Sequence, residues 1–281
     1  MGRINYLPIN QIKKTFLDLS KKWRLMLLVI LIDLVFLFVF SFTYTLYFQK
    51  IMAHAAVIMQ QTPLITTALQ TQDINAALPY VQELSRAVFE IKKLAILLAI
   101  STFVIWIAFQ AVNWWNCFKI SGRKIKYLDY LKTFTLASAI WIAIISLALY
   151  ISISMFFGNA LAFPNSQPQE SILNIGLIIA FGIVGYFALV SYSLSGRIKE
   201  VLKKIVTFSF LKSEVLVSYI IIVIALVIIN FIIYLLWKTL WAINDILVLA
   251  VGAVILLLFF VFGRVYMINV VQEIESKKRK N

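Results

Sequence analysis

Asp33, Gln110, Asn113 and Arg264 are the polar side chains of this chain best placed to do chemistry, because each sits within a long apolar run. An unpaired aspartate inside hydrocarbon costs about 2.5–3.5 kcal/mol on insertion scales, so Asp33 must face protein or water. Its run starts near Met26, which puts it about 10 Å in at 1.5 Å per residue. Gln110 and Asn113, counted back from the end of their run near Phe118, reach a similar depth, and Arg264 comes within about one turn of it. Matched depth predicts one buried polar cluster. Two chemistries suit it: an ion, proton or substrate path centred on Asp33, or a purely structural set of interhelical bonds. Arg264 has a third option, snorkelling to the headgroups. A turn of 100° per residue puts Leu37, Phe40, Ser41 and Tyr44 on the face of Asp33, with Leu28, Val35, Val39 and Phe42 opposite, toward lipid. Trp106, Trp114 and Cys117 share the face of Gln110 and Asn113.

Other chemistry is sparse. His54 is the only histidine and Cys117 the only cysteine. No carboxylate or cysteine stands near His54 at ligand spacing, and one cysteine closes no disulfide within the chain. Gly-x-Ser-x-Gly, His-Glu-x-x-His and P-loop motifs are absent. The expectation is a protein that is not an enzyme, with no cofactor and no metal site.

The elements that must position these residues are six apolar runs, 26–48, 94–118, 135–157, 172–194, 215–237 and 246–268. Each is long enough to cross about 30 Å of hydrocarbon as a helix. In a chain of 281 residues, 62% hydrophobic side chains and a mean hydropathy of +0.94 fit lipid better than water. The fold class read from this is all-α: one polytopic membrane domain over 1–281, with six transmembrane helices. The first run is too long for a cleaved signal and reads as an uncleaved anchor.

Formal net charge is +14, and most of the 26 Lys and Arg fall in alternate connections. By the positive-inside rule both termini are cytoplasmic, the 49–93 connection faces outward, and the protein resides in the cell (plasma) membrane. The basic residues expected at the membrane surface are Lys13, Lys14, Lys21 and Lys22; Arg123, Lys124 and Lys126; and Arg197, Lys203 and Lys204. Topology and attraction to anionic headgroups account for them without a nucleic-acid partner.

Gly-Arg occurs at 2–3, 122–123, 196–197 and 263–264, taking four of the nine glycines. Ser121-Gly122-Arg123, Leu128 and Thr133-Phe134 align without gaps with Ser195-Gly196-Arg197, Leu202 and Thr207-Phe208. Thr15-Phe16 precedes the first run. The expected unit is a cytoplasmic amphipathic helix followed by a hairpin of two spans, repeated three times. Ile9, Ile12, Phe16, Leu19 and Trp23 form the apolar face of the first such helix; Ile198, Val201, Leu202, Ile205 and Phe208 that of the third. The middle copy is weaker, because Lys124 and Lys132 intrude on its apolar side. These helices either anchor the hairpins or dock a cytoplasmic protein partner.

The 49–93 connection predicts two helical extensions, interrupted at Thr62-Pro63 and Leu78-Pro79, since the residue before proline is driven out of the α region. Ala139, Ala143 and Ser146 on span three, with Gly176, Ala180, Gly182 and Gly185 on span four, predict close pairing of those two spans, and Asn230 is expected to bond between helices.

Two function classes follow. One is a non-enzymatic membrane-organising or lipid- and solute-handling protein. The other is a permease-like subunit working with a cytoplasmic ATPase. An amphipathic helix before the first of six spans resembles the permeases of two-component ABC exporters, although the repeat and the long first outer connection depart from that pattern. Three units of amphipathic helix and hairpin resemble several six-span prokaryotic families and the membrane domains attached to glycerophosphodiester phosphodiesterases. That resemblance is architectural and places no site residue.

Overall fold

A computed structural model describes residues 7–71, 74–162, 170–196, 198–240 and 245–280, with side-chain surroundings for all of these except 7, 69, 74, 148–180, 240, 245 and 278–280. All the described elements are helices: α1 (Leu7–Lys21), α2 (Trp23–Gln70), α3 (Ile74–Ile120), α4 (Tyr127–Ala162), α5 (Glu170–Tyr192), α6 (Ile198–Leu211), α7 (Ser213–Leu240) and α8 (Asp245–Lys280). Five stretches are long and apolar enough to cross a membrane: Trp23–Ala68, Asn75–Ile120, Tyr127–Leu147, Ser213–Thr239 and Ile246–Lys277. The run expected at 172–194 falls on α5, whose described apolar part, Phe181–Tyr192, is shorter. The repeat's first Gly-Arg, Arg197 and the connections around 163–169 and 241–244 lie outside the described residues.

The chain divides into two compact units, one of Met1–Asp33 with Gln110–Asn281 and one of Leu34–Phe109. The second unit is an antiparallel helical hairpin held in a single register. Phe36 meets Trp106 and Phe109 at ring distances of 5.9 and 6.2 Å. Further along, Tyr47 lies 3.4 Å from Ser101 and Gln61 donates to Glu83 at 2.7 Å. Phe36, Phe40, Tyr44 and Phe48 form an i, i+4 ring column along α2.

Neither proline ends its helix, contrary to the expectation. Pro63 lies inside α2 and Pro79 inside α3, and the chain reverses between Gln70 and Ile74 instead. A proline removes its own N–H and crowds the carbonyl one turn back, a loss that nearby hydroxyls and tertiary packing can offset. Around Pro63, Thr62, Thr66 and Thr67 each donate to the carbonyl four residues earlier. Pro79 stands in the second turn of α3, where few ladder bonds precede it.

In the first unit, breaks of one residue separate surface helix from span. Lys22 divides α1 from α2, and Lys212 divides α6 from α7. No such break occurs in α4, which runs on from Tyr127 into its apolar stretch. The lysines on the apolar side of this middle copy leave it too little amphipathic to lie flat on its own. The three repeat threonines behave alike: Thr15, Thr133 and Thr207 each donate to the carbonyl four residues back. Gly122 and Gly196 take positive φ angles of 81° and 148° in the turns that redirect the chain, conformations that other residues adopt only with strain. Gly263 lies inside α8.

The core of this unit gathers the end of α5, one face of α6, the start of α7 and the Tyr266–Ile274 part of α8. By contrast, Ile224, Val227, Ile228 and Phe231 of α7 and Ile246, Leu247 and Leu249 of α8 are exposed, as lipid-facing residues must be. On α1, the face against protein is Gln11, Thr15 and Leu19, while Ile9 and Phe16 remain exposed, as does Trp23 at the start of α2. Tyr219 reaches from α7 to donate to Gly182 O at 2.7 Å, and its hydroxyl stands beside Gly185. α4 packs against α5 as well: Trp141 Nε1 donates to Ser191 Oγ at 3.0 Å, Ser138 donates to the Tyr192 hydroxyl at 3.1 Å, and the Trp141 and Phe187 rings stack at 5.8 Å.

Candidate functional site

The structure brings Asp33, Gln110, Asn113 and Arg264 into contact. Asp33 projects from α2, Arg264 from α8, and Gln110 and Asn113 lie one turn apart on the same side of α3, as i, i+3 residues do. Asp33 is 3%, Gln110 2% and Asn113 0% exposed. Arg264 Nη1 donates to Asp33 Oδ2 at 2.6 Å and Nη2 to Oδ1 at 3.1 Å, a parallel two-bond fork. Gln110 Nε2 and Asn113 Nδ2 also donate to Oδ1, at 3.0 and 2.7 Å. Arg264 Nη2 donates in addition to Gln110 Oε1 at 2.9 Å. Gln110 thus touches both members of the ion pair, and Arg264 turns inward to the carboxylate.

This geometry decides what the cluster can do. The Asp33 carboxylate accepts four hydrogen bonds from three fixed side chains, leaving little capacity for a passing ion or solute. Cys117, one turn beyond Asn113, is fully buried beside Arg264 and Asp33. Charge-assisted bonds of this kind hold best where water is excluded, and removing one partner strands the other. The arrangement locks α2, α3 and α8 together at one level. Of the other residues expected on the Asp33 face, Leu37 and Tyr44 are 47% and 44% exposed, and the residue buried with Asp33 is Val29, one turn before it. The opposite face matches expectation at Leu28, Val35 and Phe42, all exposed. Asn230 is exposed and donates to Leu226 O of its own helix, so it makes no bond between helices here.

The basic residues divide into two sets. Lys13, Lys21, Lys124, Lys126 and Lys203 are exposed, and Lys14 is half-buried. Three others are engaged by protein. Lys22 Nζ donates to the carbonyls of Lys119 and Ile120, at the C-terminus of α3. Those carbonyls have no partner within the helix, and a cation there also meets the negative end of the helix dipole. Arg123 Nη2 and Lys204 Nζ both donate to Glu275, at 3.0 and 2.9 Å. Glu275 thereby ties the Gly122 turn and α6 to the end of α8. Arg197 lies outside the described residues.

Several contributors were not foreseen from the sequence. Glu275 stands beyond the last apolar run, where its acidity in a basic tail was the one available signal. Asn269 Nδ2 donates to Thr15 and Asp18, at 3.1 and 3.2 Å, pinning α1 to α8. Tyr192 collects Trp114, Phe134, Tyr130 and Ser138 around its ring, backbone and hydroxyl. A separate cavity of about 790 Å³ opens between the start of α4 and the start of α6, lined by residues that include Arg123, Lys126 and Lys199 and by none of the four cluster residues. The chain matches no family model, and no curated protein or solved structure matches it.

Proposed function

We propose that this is a non-enzymatic, multi-pass membrane-organising protein of the cell membrane, which handles anionic lipid and engages partners through its basic end. On this reading α5 is a sixth span, the spans pair as three hairpins, and both termini are cytoplasmic. The one-residue breaks at Lys22 and Lys212, each between an amphipathic helix and an apolar one, support a common repeat unit. The observation that carries the reading is the closed state of the Asp33 carboxylate, held by four bonds within the protein. A substrate path needs a charged group with coordination to spare, and the Asp33 carboxylate has none, although Asn113 Oδ1 beside it is buried without a hydrogen-bond partner. The basic residues that remain exposed suit anionic headgroups.

The test is affinity purification of the tagged full chain in mild detergent. Recovery without a stoichiometric ATPase is expected, whereas a stoichiometric ATPase would favour the permease-like alternative. Tags at Met1 and Asn281 should label only after the cells are opened.

A further inference from the structure

We propose that the basic cavity between the turns at Gly122 and Gly196 binds a phosphate group, carried by an anionic lipid headgroup or by a soluble phosphorylated ligand. The sequence repeat places these two Ser-Gly turns far apart in the chain, and the fold brings the segments that follow them to opposite walls of one cavity of about 790 Å³. Five cationic residues line it: Arg123, Lys124, Lys126, Lys132 and Lys199. Two carboxylates, Asp129 and Glu200, line it as well. Both belong to the first turns of their helices, α4 and α6, where an acid serves the helix N-terminus. Glu200 Oε2 in fact stands beside Gly196, 3.6 Å from where a Cβ would be. The lining therefore keeps an excess of positive charge.

Two observations show that this charge is unanswered within the protein. Among the described residues, Lys124, Lys126, Lys132 and Lys199 form no ion pair. Arg123 gives one nitrogen to Glu275, and its other terminal nitrogen, Nη1, is buried without a hydrogen-bond partner. A buried guanidinium donor left open is costly, and its planar fork matches phosphate geometry. Concentrated like charge in a concave, partly enclosed site focuses the field on an incoming anion. Phosphate, with several strong acceptor oxygens, answers the lysines that form no ion pair.

The proposal deepens the lipid-handling reading and rests on it only for the lipid source; the pocket's chemistry stands apart. The test uses the full chain in detergent and measures binding of phosphatidic acid, phosphatidylcholine and inorganic phosphate. The pocket variant is Lys124→Ala, Lys126→Ala and Lys199→Ala together. The control, Lys50→Ala, Lys92→Ala and Lys238→Ala, removes equal charge from exposed positions outside the cavity and outside the basic set assigned to headgroups. Phosphatidic acid is expected to bind at least tenfold more tightly than phosphatidylcholine, with a tenfold loss in the pocket variant and less than twofold in the control. Inorganic phosphate showing the same variant dependence supports the site with a soluble ligand; phosphatidic acid alone showing it supports a headgroup. Absence of binding by either probe, or equal losses in both variants, overturns the proposal. Recovery of an ATPase in the purification above would leave these binding results unchanged, so the two failures are distinguishable.

Discussion

Arg264 and Asp33, 231 positions apart in the chain, meet through two parallel hydrogen bonds of 2.6 and 3.1 Å, with Gln110 bonded to both residues. This relationship fixes the level at which α2, α3 and α8 stand against one another. It also makes each member's contribution countable.

Gln110 makes two of the cluster's bonds and Asn113 one. At about 0.6–2 kcal/mol per interhelical contact, Gln110→Leu should destabilise by about twice as much as Asn113→Leu. Thermal denaturation of both variants in the same detergent checks the order. Equal losses, or a larger loss for Asn113→Leu, would count against the bonding described.

Lys22 sits at the break between α1 and α2, yet its ammonium caps α3. Lys22→Met keeps the length and apolarity of the side chain while removing the donor. The expected loss is about 0.5–1 kcal/mol, as for other cations at helix C-termini. Reduced amide-exchange protection at Lys119 to Ser121, with the rest of α3 unchanged, is the local signature to measure.

Glu275 answers two cations at once, but Arg123 and Lys204 keep 25% and 34% of their side-chain exposure. Solvent screening keeps such pairs modest, so Glu275→Gln should cost roughly 0.2–1 kcal/mol. The difference between variant and parent should shrink at high salt. A salt-independent loss would mean that packing, not charge, is the role of Glu275.

The site was legible where hydrocarbon sets the rule. Inside a long apolar run, a polar residue has few places to go, so depth alone grouped Asp33, Gln110 and Asn113, and the same argument reached Arg264. Beyond the runs that constraint lapses. Lys22, Glu275 and Asn269 stand where water, lipid or protein would each serve, and only the packing of α1 and α6 on α8 chooses among them. The prolines show a different limit: Pro63 breaks local preference, but the long helix α2 carries the chain through it. The additional approach of Tyr219 of α7 to Gly182 and Gly185 was unreadable for a related reason, since small residues mark close approach without saying which helices arrive.

The most direct test of the central claim, that Asp33 and Arg264 form a structural lock, is a double-mutant cycle. Cys117 is the only cysteine and is buried, so its labelling by a thiol reagent during SDS titration reports unfolding. Asp33→Leu and Arg264→Leu each strand a buried charged or polar partner and should each cost about 3–5 kcal/mol. The double variant removes both charges together and should recover most of that loss, with a coupling well beyond additivity. Single losses that simply add in the double variant, or an Asp33→Leu protein as stable as the parent, would contradict the account.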